Sequence, residues 1–434
     1  MILHRRIRNA LGLPLGRLAV VVWLAGPSSL RAQQTVPTGD TIRLRRSDLP
    51  EFVRRHNPAL RSARFETALA AGDVTTARLR QNPQLEVMAD VLPLGGGETS
   101  PNSRQYGIQL AFPIERGNKR ALRTDVASRT RLLTEQRATD VFQQQLGDVD
   151  MAWTDLLASL AAERIAAATL EGYQRLVEVS RVRLEGRQIS AAEFARIAVE
   201  RGRAAVALED QRIETTESRA LVARLLGISG LLVPVDTLTP MLSPTLTADS
   251  LVTLALMQRA DVRAARQNIE VALADQRLQE AMARPDLSLA FEYSMQQRIP
   301  LYGATVNMPL PRYNRNQGER EKAAVRLAQA RDELERIERE VRGDLRRVLA
   351  VVESRLAALS RFGDGEDGML QRSLAARTAA EFAYRNGATS LVELLDAERS
   401  YDEVRRAHTD AIAALNKSLI HLQFIAGLSP VPPS

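Results

Sequence analysis

The sequence predicts a mainly α-helical protein with a small β part, built as two copies of one unit. Two stretches of about 65 residues contain no proline, so each can form one helix near 100 Å long at 1.5 Å per residue. Before each of them the chain carries short stretches in which apolar and polar residues alternate, a pattern that indicates strands. Similar motifs also recur at an offset of about 200 residues, which predicts an internal duplication.

Four pairs of motifs carry the duplication, in the same order in both halves. They are "NPALRSAR" (57–64) with "RADVRAAR" (259–266), "NPQLEV" (82–87) with "RPDLSL" (284–289), "SAAEF" (190–194) with "SLVEL" (390–394), and Gly227 with Gly427. One such match could arise by chance, whereas four in the same order at nearly constant spacing indicate a duplicated unit of about 200 residues. The predicted segments are a signal peptide at 1–32, a first repeat at 33–227, a linker at 228–247, a second repeat at 248–427 and a C-terminal tail at 428–434.

The N-terminal segment is typical of a secretory signal peptide. Arg5, Arg6 and Arg8 precede an apolar run at 18–25, and small residues follow before Gln33. The run is too short for a membrane-spanning helix, which needs about 20 apolar residues. Its removal takes away arginines and no acidic residue, so the formal net charge falls from +7 to +2. The high formal charge therefore says little about nucleic acid, and no nucleic-acid partner is predicted.

Each repeat is predicted to begin with a helix, at 60–79 and 262–283, which a proline then ends. Two strands with one apolar face follow in each repeat, at about 84–92 and 105–112 and at about 286–296 and 302–310. Several aromatic residues lie near the strand ends, as rings do at the interfaces of a membrane barrel. A soluble hairpin that covers a core is the alternative, and the pattern alone leaves both open.

The long helices are predicted at 118–186 and 317–387, each ending in a tight turn. Each turn is followed by a capping box, Ser190 with Glu193 and Ser390 with Glu393. The return helices that begin there stop at the two matched glycines, as C-terminal caps prefer.

Two further features concern the second repeat. Leu394, Tyr401, Leu415 and Leu422 share one heptad position of the return helix, which predicts a coiled coil. Three glycines within 362–368 predict a break or kink in the long helix.

The composition argues against an enzyme. The chain has no cysteine, which excludes disulfides, a thiol nucleophile and a lipid anchor on cysteine. Only His56, His408 and His421 would remain after export, and no phosphate loop, serine elbow or paired-histidine motif is present. Dispersed histidines make no closed ligand set. The sequence therefore predicts no catalytic residues, no cofactor and no resident metal site.

With these elements in place, the chain resembles the TolC family of outer-membrane efflux ducts over residues 48–427. "YRNGATSLVELLDAERSY" (384–401) is similar to that family's second hairpin tip, and "NPAL" (57–60) to its first helix. "FPIERGNKR" (112–120) and "PLPRYNRNQGE" (309–319) resemble the cobalt–zinc–cadmium efflux branch. That branch often carries Gly-Gly-Lys-Arg at the first of these places, where this chain has Asn118 as the second residue.

The resemblance implies a homotrimer in the outer membrane of a Gram-negative-type bacterium. Four strands per chain would form one twelve-stranded β-barrel, since open strand edges are not tolerated in lipid. The long helices would form an α-helical barrel of coiled-coil hairpins in the periplasm. Such a duct passively conducts substrate in a tripartite efflux system, with a periplasmic adaptor (membrane fusion) protein and an inner-membrane pump of RND type.

Alternatives remain for the substrate and for the class of protein. The branch resemblance favours divalent heavy-metal cations, whereas ducts of the same fold also export drugs and other small molecules. A soluble periplasmic coiled-coil adaptor or scaffold would explain the helices. It would not explain four strands with one wholly apolar face.

Three sets of residues follow within this architecture, from the hairpin turns, from the symmetry of a trimer and from the period of the strands. The hairpin tips would contact the adaptor through Arg183, Leu184, Gly186, Ser190, Tyr384, Arg385, Gly387, Ser390 and Leu391. Glu381 and Glu185 would form rings at a periplasmic gate, or else be solvated surface residues. If the apolar strand faces meet lipid, then Glu86, Asp90 and Glu292 line the barrel lumen, where they would favour cations or else simply be hydrated polar residues.

Overall fold

A computed structural model describes residues 41–89, 105–241, 247–296, 299–363 and 368–428. The predicted signal peptide, Asp90 and nearly all of the predicted C-terminal tail lie outside the described residues. The described chain is mainly helical with a small sheet, which confirms the predicted fold class.

The two halves repeat one order of elements. A short strand, β1 (Thr41–Leu44), precedes the first, which contains α1 (Leu49–His56), α2 (Pro58–Arg78), β2 (Gln84–Ala89), β3 (Gln105–Ile114), α3 (Lys119–Glu185) and α4 (Ala191–Leu226). After β4 (Leu231–Pro234), the second half contains α5 (Ala248–Gln258), α6 (Ala260–Met282), β5 (Leu287–Gln296), β6 (Ile299–Asn307), α7 (Gln317–Ser360), α8 (Met369–Arg385) and α9 (Leu391–Ile425).

The second long helix is divided at the glycine-rich stretch, as predicted. Helix α7 ends at Ser360 and α8 begins at Met369. Gly363 has φ +59°, a left-handed conformation that glycine adopts without the steric penalty of a Cβ atom. The matching helix of the first half, α3, is continuous over 67 residues.

The four longer strands form one antiparallel sheet in the order β2–β3–β5–β6. Strand β6 lies earlier than the predicted 302–310, because Pro309 and Pro311 have no N–H group to donate to a neighbouring strand. A separate parallel pair joins β1 to β4. This pair was not predicted, and it places a strand inside the segment that we expected to be a linker.

Each repeat has its own apolar core where the shorter helices meet the long ones. In the first repeat Trp153 of α3 is fully buried among residues of α1, α4, β1 and β4. In the second repeat Leu345 of α7 is equally buried, among residues of α5 and α9. Among the described residues, no helix is long and apolar enough to cross a membrane.

The long helices pack side by side. Helix α4 packs on α3, α3 packs on α9, and α9 packs on both α7 and α8. Helices α4 and α8 therefore stand at the two sides of this layer. The capping box predicted at Ser190 and Glu193 forms, whereas at the second turn the structure has Ser390 Oγ accepting the Glu393 N–H group.

Candidate functional site

The sheet has two chemically different faces, and its register shows which residues share each face. Residues that pair across neighbouring antiparallel strands point to the same side of a sheet. Leu85 pairs with Leu110, Leu110 with Phe291, and Phe291 with Ala304. The next row on this face is Val87, Ile108, Tyr293 and Tyr302. The apolar residues predicted on four separate strands therefore lie on one face of one sheet.

This apolar face is open to its surroundings. The side chains of Leu85 and Val87 are 67% and 69% exposed, and that of Tyr302 is 82% exposed. Phe112 and Phe291 meet edge to face with ring centroids 6.4 Å apart, so the rings cover one another only partly. An exposed apolar face of this extent marks a surface that a membrane or a partner covers.

The opposite face carries the acidic residues. Glu86 pairs with Gln109, Gln109 with Glu292, and Glu292 with Gly303, so both carboxylates lie at one level of the sheet. The register thus brings together two of the three acidic residues assigned to a lumen.

Left-handed residues form the junction where the sheet leads into the long helices. Gly117 and Asn118 have φ of +73° and +60° before α3, and Asn316 has φ +59° before α7. Asparagine follows glycine as the residue that best tolerates this conformation. The chain can therefore carry Asn118 at this left-handed position without a glycine. The Asn316 side chain also donates to the Gln279 carbonyl oxygen (2.8 Å), which fixes the start of α7 against α6.

An ion pair closes the same junction in the first half. Lys119, whose side chain is 6% exposed, lies with its Nζ atom 2.8 Å from Asp286 Oδ1. The Arg116 N–H group donates to the same carboxylate oxygen. These contacts tie the start of α3 to the start of β5, and thus one repeat to the other.

The two hairpin tips lie together at the far ends of the long helices. The guanidinium of Arg183 donates to the Tyr384 carbonyl oxygen (3.2 Å) and lies 4.8 Å from the centroid of the Tyr384 ring. Arg399 of α9 pairs with Glu200 of α4 at 2.6 Å. The residues assigned to adaptor contact are therefore brought into one region.

Two of those residues are not available as a contact surface in this chain. Tyr384 and Leu391 are only 4% and 3% exposed. Both pack in an apolar cluster with Tyr173 of α3 and Ile197 of α4. The expectation that they lie exposed is wrong, because they face the other hairpin and hold the two tips together.

The remaining assigned residues reach the surface to different degrees. Arg183 and Leu184 are half-buried, while Gly186, Ser190, Arg385, Gly387 and Ser390 are exposed. The sequence interpretation missed three apolar side chains that are exposed beside them, those of Val182, Phe382 and Val392. The signal that could have found them is their place on the helix face opposite the heptad core.

The two carboxylates assigned to a gate differ in their surroundings. Glu381 is half-buried and pairs with Arg385 at 2.5 Å and with Arg377 at 3.7 Å. Glu185 is exposed at the end of α3. Glu381 therefore belongs to a network of charges inside the chain, whereas Glu185 stands at the surface.

That network lines a cavity of about 150 Å³ between α3, α8 and α9. Burial raises the pKa of Glu398, which pairs with Arg377, and that of Asp402, which accepts a hydrogen bond from Thr169. Burial also raises the pKa of Tyr173 to about 12. Among the described residues no group of three or more His, Cys, Asp or Glu side chains could hold a metal ion.

Comparisons with known proteins agree with this architecture. The outer membrane efflux protein family matches residues 49–227. The cobalt-zinc-cadmium resistance protein CzcC of Cupriavidus metallidurans is 22% identical over 388 residues, which is 88% of this chain and 85% of that protein. The low identity makes it a distant relative.

Solved structures share the fold over nearly the whole chain. CusC, whose crystal structures concern transmembrane channel formation, has a TM-score of 0.70 at 19% identity and covers 92% of this chain and 98% of its own. The outer membrane protein VceC of Vibrio cholerae has a TM-score of 0.68 at 17% identity, over 88% of this chain and 96% of its own. The first repeat therefore matches the outer membrane efflux protein family in sequence, and the chain as a whole shares the fold of these solved structures.

Proposed function

We propose that this protein is the outer-membrane channel of a tripartite efflux system, assembled from three copies of the chain. The single observation that carries the proposal is the two-faced sheet, with one exposed apolar face and one acidic polar face. A sheet of four strands leaves unpaired N–H and C=O groups along β2 and β6. In lipid these groups must pair, so strands of several copies close into one barrel with the apolar face outward.

The helices supply the rest of the duct. Helix α3 has 67 residues, which corresponds to about 100 Å at 1.5 Å per residue. That length greatly exceeds what a core of this size needs, and it suits a tunnel that crosses the periplasm. A soluble coiled-coil adaptor is the alternative class, and the exposed apolar face of the sheet argues against it.

The cargo that the chain suits best is a divalent heavy-metal cation. CzcC, a relative over most of the chain, is named for resistance to cobalt, zinc and cadmium. The aligned carboxylates of Glu86 and Glu292 would place acidic groups along the polar face of the barrel. Acidic rings favour cations in pores. The channel conducts passively, and an inner-membrane RND pump selects and drives the cargo.

The hairpin tips would receive the periplasmic adaptor. The exposed surface there combines Arg385 and Gly387 of the second turn with the apolar side chains of Val182, Phe382 and Val392. Arginine and apolar side chains together are common at protein interfaces.

A deletion strain tests the function. We expect loss of tolerance to cobalt, zinc or cadmium and its recovery when the gene is restored. Unchanged metal tolerance together with lost drug tolerance would assign the duct to drug efflux. A mature chain found in the soluble periplasmic fraction would contradict the channel itself.

A further inference from the structure

Exposed arginines surround the end of the sheet at which the long helices begin. Four chain segments meet there, one for each strand: 78–83, 115–120, 283–286 and 308–322. Each segment carries at least one exposed arginine, and together these are Arg78, Arg80, Arg116, Arg120, Arg284, Arg312, Arg315 and Arg320. We refer to this set as the basic junction.

The acidic residues of the same segments do not neutralise the basic junction. Three of them pair with a cation outside the set: Glu115 with Arg123, Asp286 with Lys119, and Glu319 with Lys322. Among the described residues, no carboxylate forms an ion pair with an arginine of the basic junction. Only Glu321 therefore remains to oppose its positive charges.

The N-termini of the two long helices add positive potential at the same place. The first N–H groups of a helix have no partner within it, and the aligned peptide dipoles leave about half a positive charge there. Neither Asn118 before α3 nor Asn316 before α7 accepts a hydrogen bond from these groups through its side chain. Helix N-termini of this kind attract anions.

The basic junction borders the apolar face of the sheet. The guanidinium of Arg116 lies 3.3 Å from the sulfur of Met308, the residue after β6. The guanidinium of Arg312 lies 5.4 Å from the centroid of the Tyr313 ring, and the side chains of Tyr313 and Leu310 are 83% and 79% exposed. Rings and arginines at the edge of a lipid-facing surface suit a membrane–water interface, where the ring lies among the headgroups and the charge reaches water.

The opposite end of the sheet has no such excess of positive charge in its sequence. The segments that join the strands there, 90–104 and 297–298, contain two acidic and two basic residues. The helices therefore leave from the basic end. In the proposed channel the helices lie in the periplasm, so the basic end meets the periplasmic leaflet of the outer membrane.

We propose that the basic junction binds the phosphate groups of anionic phospholipids in this leaflet. A guanidinium group matches a phosphate through two parallel hydrogen bonds, and its charge does not titrate at physiological pH. A zwitterionic headgroup carries its own cation, so the junction attracts it less. The inference rests on the proposed channel and adds the class of lipid and the leaflet that the channel recognises.

The test compares two lipids that differ only in the headgroup. Full-length mature protein is extracted from outer membranes into a neutral detergent and titrated with phosphatidylglycerol or with phosphatidylcholine of the same acyl chains. Native mass spectrometry counts the bound lipids and the copies of the chain in each particle. The test variant replaces three exposed arginines of the basic junction by glutamine, which shortens the side chain little: Arg116→Gln/Arg312→Gln/Arg320→Gln.

The matched control makes the same change of charge on the helices. Arg201 of α4 and Arg346 and Arg355 of α7 are exposed, and they too form no ion pair with a described residue. Arg346 lies 29 residues after the start of α7, about 44 Å along the helix from the junction. The control variant is Arg201→Gln/Arg346→Gln/Arg355→Gln.

We expect the wild type to bind phosphatidylglycerol at least tenfold more tightly than phosphatidylcholine. An arginine near an anionic membrane surface contributes about fivefold to binding, so the test variant should lose at least tenfold in affinity for phosphatidylglycerol. The control variant should keep the wild-type preference. Excess inorganic phosphate should displace no more lipid than chloride of the same ionic strength.

The results that would overturn the inference differ from those that would overturn the channel. Equal affinity for both lipids, or an equal loss in the control variant, would refute the lipid site, while trimers in the same spectra would leave the channel intact. Displacement of the lipid by inorganic phosphate would show a site for free phosphate instead. A soluble monomer that binds neither lipid would refute the lipid site and the proposed channel together.

Discussion

Replacing Glu86 and Glu292 by glutamine should weaken the preference of the channel for cations. The register sets the two carboxylates at one level with only the β3 strand between them, so they are about 9.6 Å apart at 4.8 Å per strand. At that distance in water their mutual repulsion is about 0.4 kcal/mol, which is less than the thermal energy. The two charges therefore act together on a passing ion.

The size of the effect follows from the same geometry. A monovalent cation about 5 Å from both carboxylates gains about 1 kcal/mol after screening at physiological salt. This corresponds to roughly fivefold enrichment of the cation relative to an uncharged wall. Three chains place six carboxylates around the passage in the proposed trimer. The double amide variant removes all six and leaves the shape of the wall nearly unchanged.

The assay is the reversal potential of purified channels in planar bilayers across a potassium chloride gradient. We expect cation preference in the wild type and a shift toward equal permeability in Glu86→Gln/Glu292→Gln. Gln109→Glu, which adds a carboxylate at the same level, should shift the potential the other way. An unchanged potential in the double variant, or anion preference in the wild type, would refute the assignment of the faces.

Three further predictions concern the helices. Leu391→Ala should destabilise the buried tip cluster by about 2–5 kcal/mol. Val392→Glu, on the exposed side, should abolish transport without lowering the Tm, and transport that survives would contradict adaptor contact there. Glu381→Ala removes the ion pairs with Arg385 and Arg377 and should raise the conductance of the closed channel, while a wild-type closed conductance would reject a gate role. Burial raises the pKa of Asp140 from 3.8 to about 6. Between these pH values the folded protein keeps a proton that the unfolded chain releases, so the stability of the folded state falls as the pH rises. Asp140→Asn should therefore raise the Tm more at pH 7.5 than at pH 5; equal shifts in thermal denaturation at both would contradict this.

The strands show how far the sequence alone leads. Period-two alternation was enough to assign Glu86 and Glu292 to the face opposite Leu85 and Phe291, because side chains alternate strictly along a strand. Their alignment at one level depends on the register between β2, β3 and β5, which alternation within a single strand does not fix. The pair of β1 and β4 escaped prediction because four residues are too few to show a period.

The hairpin tips show why burial was harder to predict. The break near Gly363 was visible in the sequence because glycine clusters interrupt helices through a local effect. The burial of Tyr384 and Leu391 depends on the other hairpin, about 200 residues away in the chain, so no local pattern marked them as core residues. The same distance in sequence hid the contact of Arg183 with Tyr384.

The number of chains in the particle extracted from outer membranes tests the central claim most directly. Native mass spectrometry of the mature protein in detergent should give a mass of three chains, from the membrane fraction and not from the soluble periplasm. A stable monomer in the soluble fraction would show that the exposed apolar face of the sheet does not meet lipid, and it would contradict the account.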